Sequence, residues 1–443
     1  MALSRYRYCT DHPRLLDTLA SRDFLIIQDI DGVCMGLVRD PLTRRLPARY
    51  VQAARRLADR YYVLTNGEHV GRRGLNLIVE TAMGHGDPDR ATDSYLPGLA
   101  AGGVQLQNCH GEVSHPGVSA AELDFLRAVP DKAAAFLHDV LAAAPFLLSA
   151  SEIAALSATM VLDNLASPSL NLNPFHARYG DQPAPYRHLQ AQCAQFMLTL
   201  QQQAEAAGLG DSFFVHYAPN LGRDDSDDER IKLGAGRDAG TTDFQFMLKG
   251  AIKETGVLVL LNHHYFRRTG RWPLGEEFNA RAAPRDAAAL LHLAREHFDP
   301  KYMPCLVGVG DTVTSIAHAH ADGTTEMLRG GSDRGFLSLV QELGRAFDTD
   351  NAVLYVDSSR GEVRRPGLDA AHLQRCAADP ALAPWPGLQH ISDPLDPLSL
   401  NFVFPGGHEQ YVDFFCTLAQ RAAPTSPRPR SSAVARAKPG FGT

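Results

Sequence analysis

The chain has 443 residues, 44% hydrophobic and 21% charged, with a formal net charge of −7, which is enough apolar content for two or three domains. An acidic balance with no basic cluster argues against binding nucleic acid through its phosphates and against an anionic membrane surface. Seven cysteines, Cys9, Cys34, Cys109, Cys193, Cys305, Cys376 and Cys416, stand singly with no C-x-x-C pair, as expected of a reducing compartment.

The first residues are charged throughout and lack an apolar h-region, so no secretory signal is expected. No apolar run has the length to cross a bilayer, and a soluble, cytoplasmic protein is expected. The first strong element is FLIIQ at Phe24–Gln28, a continuous apolar run of the kind buried on both faces of a parallel sheet. A helical pattern over Ala48–Arg60 precedes a second such run, YYVLT at Tyr61–Thr65. From Gly74 to Ile231 the chain turns Ala- and Leu-rich, with helices expected near Ala120–Ala144, Ala150–Leu165 and Tyr186–Ala207. That stretch reads as an inserted domain, and the acidic run Asp224–Glu229 reads as a solvated loop. Further strands are expected at Phe213–Tyr217, Val257–Leu261, Cys305–Gly310 and Ala352–Val356, with a helix at Leu337–Phe347 before the last. Strands alternating with helices predict an α/β fold with a doubly wound, mostly parallel sheet. The expected division is a core at 1–75, an insert at 76–235, and the core resumed at 236–422. An extra lobe near 257–300 is expected to cover the site, and a Pro-, Ser- and Arg-rich tail at 423–443 is expected to be disordered.

The chemistry lies at the strand ends. Asp29-Ile30-Asp31-Gly32 sets two carboxylates at the carboxyl edge of the first strand, where ligands bind in open α/β sheets. Crowded acids there call for a hard cation such as Mg²⁺, and Gly32 permits a sharp turn with exposed N–H groups. Thr65-Asn66-Gly67 ends the second strand with a hydroxyl and a backbone nest suited to phosphate. Gly308-Val309-Gly310-Asp311-Thr312 brings a further acid to the same edge. Each of these alone is ordinary turn or cap chemistry; their recurrence at three strand ends points to phosphoryl transfer. That reaction also needs a cation for the charge on the equatorial oxygens. Lys249, expected at the start of a helix, is the leading candidate, with Lys253 and Lys301 as alternatives. His263-His264 and His318-x-His320 lack the companions of a zinc site, and no P-loop is present.

Together, Asp29/Asp31, Thr65, Lys249 and Asp311 resemble the motif set of the haloacid dehalogenase (HAD) superfamily of phosphatases. The long insertion after Thr65 is similar to the C2-type α/β cap of its sugar-phosphatase branch. FLIIQDIDGVCMGLVRDPLTR, YVLTNGEHVG, GAGRDAGTTDFQFMLKGAIKETGV and VGVGDTVTSI most resemble the glucosylglycerol 3-phosphatases, the salt-tolerance phosphatases, over roughly residues 20–420. The resemblance implies hydrolysis of 2-O-(α-D-glucosyl)-sn-glycerol 3-phosphate in compatible-solute synthesis. In that scheme Asp29 is the nucleophile that forms an aspartyl-phosphate and Asp31 is the acid and base. Thr65 and Lys249 are catalytic, and Gly32, Thr65, Asn66, Gly67 and Lys249 bind phosphate. Asp29, Asp31 (through its backbone carbonyl) and Asp311 hold Mg²⁺. Arg237, Thr241, Thr242, Asp243 and Asn262 are substrate candidates, and the glucosylglycerol-phosphate synthase is a possible partner. The chain departs from the pattern by having no second acid four or five residues after Asp311. The ion is then expected to rely on a distant acid such as Asp333, or on waters. Alternatives are phosphatases of sucrose, trehalose or mannosylglycerate phosphate, or a catalytically weak partner of a glycosyltransferase.

Overall fold

A computed structural model describes residues 2–84, 93–224, 228–236, 238–320, 323–379 and 381–422. The expected tail and the middle of the acidic run lie outside those residues. The main sheet has eight strands, in the order Phe402–Phe404, Ala352–Val356, Cys305–Gly310, Phe24–Gln28, Tyr61–Leu64, Gly98–Ala100, Gln105–Gln107 and Val113–Ser114. The first six run parallel, and Gln105–Gln107 pairs antiparallel with the strand on each side of it. Every residue of the four apolar runs in this sheet is buried. Helices His12–Ala20, Ala48–Arg56 and Gly407–Arg421 bury one face, and Lys253–Thr269, Ala287–His297 and Arg334–Phe347 bury the other. Solvent is thereby excluded from both sides, which is why these strands read as unbroken hydrophobic runs.

A second sheet is wholly antiparallel, in the order Val161–Leu162, Ser169–Asn171, Asp243–Leu248 and Phe213–Ala218. Helices Ala120–Arg127, Val129–Ala142, Ala150–Met160 and Pro183–Ala206 pack with it into one apolar cluster. Its other face turns toward the carboxyl edge of the main sheet. Phe213–Ala218 belongs here and not to the parallel sheet, pairing antiparallel with Asp243–Leu248 along its whole length. Val257–Leu261 is not a strand at all. It is the buried middle of the helix Lys253–Thr269, and a short apolar run carries no period with which to tell the two apart.

The two modules interlock more than the expected boundaries allow. Strands at 98–114, inside the predicted insert, extend the main sheet, while Asp243–Leu248, beyond its predicted end, completes the second one. Residues 257–300 contribute no wall to the cleft described below; their helices cover a face of the main sheet instead of roofing the site. A hairpin, Thr314–Ala319 with Thr325–Gly330, leaves the core and docks on the second module. There Thr314 Oγ1 donates to the Asn220 carbonyl at 2.8 Å, and the Gly331 N–H donates to Asn220 Oδ1 at 3.0 Å. Among the described residues no helix is long and apolar enough to cross a membrane.

Candidate active site

Asp29 follows its strand directly and is anchored by the Val309 carbonyl, which accepts its N–H at 3.0 Å. Its Oδ1 accepts the Ile30 N–H and its Oδ2 accepts Lys253 Nζ, each at 2.7 Å. Lys253 Nζ also donates to Asp333 Oδ1 at 2.7 Å. The other oxygen of Asp333 accepts the N–H groups of Asp311 and Thr312, both at 2.9 Å. Asp29, Asp311 and Asp333 are all buried, and each places a carboxylate oxygen within 4.8 Å of the others. A single lysine faces three buried carboxylates. Burial pushes Asp29 up to about 8, with the charges of Asp333 and Asp311 adding to it and Lys253 opposing. Burial likewise raises Asp311 to about 6, against the pull of Arg365. Burial acts the same way on Asp333, but Lys253 and the two backbone donors outweigh it and hold that acid below its usual range. An excess of hard anionic oxygens in one buried spot has the donor chemistry of a divalent-metal site.

Gly32 sets the approach of this loop to the third strand. It has φ +78°, and a Cβ there would stand 2.1 Å from Asp311 Oδ2, so alanine would both strain the backbone and push the acid aside. Gly32→Ala is expected to cost about 1–3 kcal/mol of stability and to weaken divalent-cation binding. Calorimetry of thermal unfolding and of metal titration measures both, and an unchanged metal affinity would contradict this account.

Above the acids lies a cleft with a cavity volume of about 140 Å³. Asp31, Thr65, Asn66, Gly67, Arg44 and Arg365 line it from the core side. Arg44 Nη1 donates to Asp31 Oδ2 at 2.9 Å, and the Arg44 guanidinium also bonds the Arg73 carbonyl. Arg365 Nη1 donates to Thr312 Oγ1 at 2.9 Å and lies 3.3 Å from Asp311 Oδ2. The facing wall is the second sheet. Its register sets Asn171 opposite Asp243 and Ser169 opposite Gln245, and all four line the cleft. Their neighbours Leu170, Phe244 and Phe246 point the other way and are fully buried, as the period of two requires. Ser169 Oγ and Gln245 Oε1 are buried without a hydrogen-bond partner. Such atoms are costly unless a ligand or water satisfies them.

The lysine that meets the strand-edge acids is Lys253, and Lys249 is turned away from them. FQFML is an alternating strand that pairs with two neighbours, and Lys249 ends it, bound to the exposed Asp211 at 2.6 Å. Gly250, at φ +87°, then turns the chain, and the helix begins at Lys253. Lys301 is exposed and packs on Tyr302 at the opposite edge of the sheet. The carboxylate of Asp31 faces Arg44 and stays outside the three-acid group; Asp333 takes the third place. Thr241 is fully buried and bonds the Pro219 carbonyl and the Lys232 N–H, away from the cleft. Thr242 donates to Asp243 Oδ2 at 2.9 Å and so orients that acid. Asn262 holds the loop at Leu274 and Gly275 through both ends of its amide, and has no part in the cleft. Arg237 lies outside the described residues. Sequence reasoning missed Arg44 and Arg365, which sit in loops where no periodicity marks a residue.

The chain matches the glucosylglycerol-phosphate phosphatase family model over residues 23–419. It is 50% identical over 422 residues to the glucosylglycerol-phosphate phosphatase of Synechocystis sp., covering 95% of this chain and 98% of that protein. Among solved structures it is similar to the trehalose-6-phosphate phosphatase C-terminal domain of C. albicans, with 12% identity, a TM-score of 0.45, and coverage of 94% of this chain and 98% of the other. Aspergillus fumigatus trehalose-6-phosphate phosphatase gives 9% identity, a TM-score of 0.37, and coverage of 94% and 99%.

Proposed function

The chain belongs to the glucosylglycerol-phosphate phosphatase family, and we propose that it hydrolyses the phosphate monoester of glucosylglycerol 3-phosphate, with the HAD-like core supplying the chemistry and the second module acting as a C2-type cap over the sugar. The observation that carries this reading is the convergence of Asp29, Lys253, Asp311 and Asp333 at one strand edge.

A carboxylate oxygen of Asp29 attacks phosphorus in line, forming an O–P bond as the bond from phosphorus to the C3 oxygen of the glycerol moiety breaks. Asp31, held by Arg44, gives its proton to the departing oxygen. It then takes one from the water that hydrolyses the aspartyl-phosphate, releasing phosphate and restoring Asp29. Lys253 and the Thr65–Gly67 loop bind phosphoryl oxygens as their charge develops. Asp29, Asp311 and Asp333 would hold Mg²⁺, which when bound offsets the repulsion between nucleophile and phosphate. The polar row of Ser169, Asn171, Asp243 and Gln245 supplies donors and acceptors for sugar hydroxyls, the two unpartnered atoms among them. Asp333 also fills the gap left by the missing acid after Asp311, so the feature that favoured a non-catalytic regulatory partner is accounted for.

The test offers purified protein the phosphates of glucosylglycerol, sucrose, trehalose and mannosylglycerate, with Mg²⁺ and with EDTA. Phosphate release is expected to be at least about tenfold faster from the first and to be abolished by chelation. Comparable rates on all four would remove the narrow substrate, and chelator-resistant turnover would remove the metal.

A further inference from the structure

We propose that Glu229 and His216, both on the second module, act as positioning residues that fix the side chain of Asn66 in the phosphate-binding loop of the core. His216 lies on Phe213–Ala218 directly opposite Gln245, on the sheet face that looks toward the core. Its Nδ1 is 2.8 Å from Glu229 Oε1, and its Nε2 is 2.9 Å from Asn66 Nδ2. The side chains of His216 and Glu229 are only 10% and 5% exposed. Glu229 is itself locked, because its Oε2 accepts the Tyr217 N–H at 2.8 Å and Asn220 Nδ2 at 3.0 Å.

The direction of donation follows from the anchor. An ionised carboxylate only accepts, so the imidazole Nδ1 carries a hydrogen. Asn66 Nδ2 faces Nε2, so the ring accepts there with its lone pair and the amide presents its NH₂ group. That choice sends the Asn66 carbonyl to the opposite side of the amide and removes the flip that an asparagine beside open solvent would have. Asn66 lies between Thr65 and Gly67 and lines the cleft with them. The cap therefore decides which end of this amide the phosphate loop shows to its ligand. A buried polar chain crossing from one module to the other is costly unless every member is satisfied, and here each bond has a partner of the right kind.

This inference rests on the reading of Thr65–Gly67 as the phosphate cradle, and the experiment separates the two. The kinetics of wild type, His216→Phe, Asn66→Ala and the double variant are measured on glucosylglycerol 3-phosphate, together with competitive inhibition by inorganic phosphate. Each single change is expected to lower kcat/KM about tenfold, the scale of one oriented hydrogen bond, and to weaken phosphate inhibition by a similar factor. The double variant is expected to lose about tenfold and not a hundredfold, because His216 acts only through Asn66. Glu229→Gln keeps the shape but no longer dictates the ring tautomer; it is expected to lose roughly three- to tenfold with an unchanged melting temperature, which covers a His216 variant that folds poorly. Additive losses, or a Glu229→Gln enzyme with wild-type kcat/KM and phosphate inhibition, would overturn the relay alone. A wild type that turns over no ester would overturn the cradle reading and the relay together.

Discussion

Asp29→Asn is expected to abolish phosphate release, lowering kcat by at least about 10⁴-fold, the scale seen when a nucleophile is removed. Asparagine has nearly the same shape and can still accept the Ile30 N–H, so circular dichroism and melting should stay close to wild type. It lacks the carboxylate that forms the acyl phosphate in the proposed mechanism. The measurement is a phosphate-release assay on matched folded samples, with trapping of the phosphoenzyme in acid as a second readout. Turnover above about 1% of wild type would mean that another group attacks, since a bystander acid near a phosphate is worth far less than a nucleophile.

Lys253→Met should do two kinds of damage. Lys253 bridges Asp29 and Asp333 at 2.7 Å each, with a side chain 2% exposed. Removing it leaves buried carboxylates uncompensated, at a cost of about 3–5 kcal/mol in stability. In the proposed mechanism it also removes a donor from the transferring phosphoryl group, for a further expected loss on the order of 10²–10³ in kcat. Lys249→Ala is expected to leave kcat within about twofold, because that ammonium serves only a surface ion pair with Asp211, of small energetic value. Urea unfolding and steady-state kinetics on the two variants decide the matter. If Lys249→Ala is the damaging change, the assignment of the phosphate-binding lysine is reversed.

The strand-end acids were legible because the strands were. FLIIQ, YYVL, CLVGVG and AVLYV are buried on both faces, and a run of that kind announces both its own position and the polar residue that follows it. Asp29, Thr65 and Asp311 were located on that basis. Lys249 was expected at a helix start because FQFMLKGAIK was read as the approach to a helix. Its alternation belongs to a strand, and four residues separate that strand from the helix Lys253–Thr269. Thr241 and Asn262 looked like site residues because their types suit hydroxyl recognition, yet both satisfy backbone groups inside the fold. Asp333 was visible only as a distant possibility: the contact that gives it meaning, to the N–H groups of Asp311 and Thr312, spans some twenty residues of hairpin that no local pattern reports. The polar row at 169, 171, 243 and 245 joins segments more than 70 residues apart, and only the antiparallel register brings them together.

Glu68 accepts the N–H groups of Leu165, Ala166 and Ser167 in succession, at 3.0, 2.6 and 3.0 Å, from a site only 4% exposed. It follows Thr65-Asn66-Gly67 in the chain and grips the segment that leads into Ser169. One carboxylate therefore ties the loop after Thr65 to the segment that carries the polar wall, and under the proposed mechanism the two act as the jaws of a calliper. Esters whose sugar sits one carbon nearer or farther from the phosphate are then expected to engage only one jaw, and phosphate release from a series of such esters measures this selection by length.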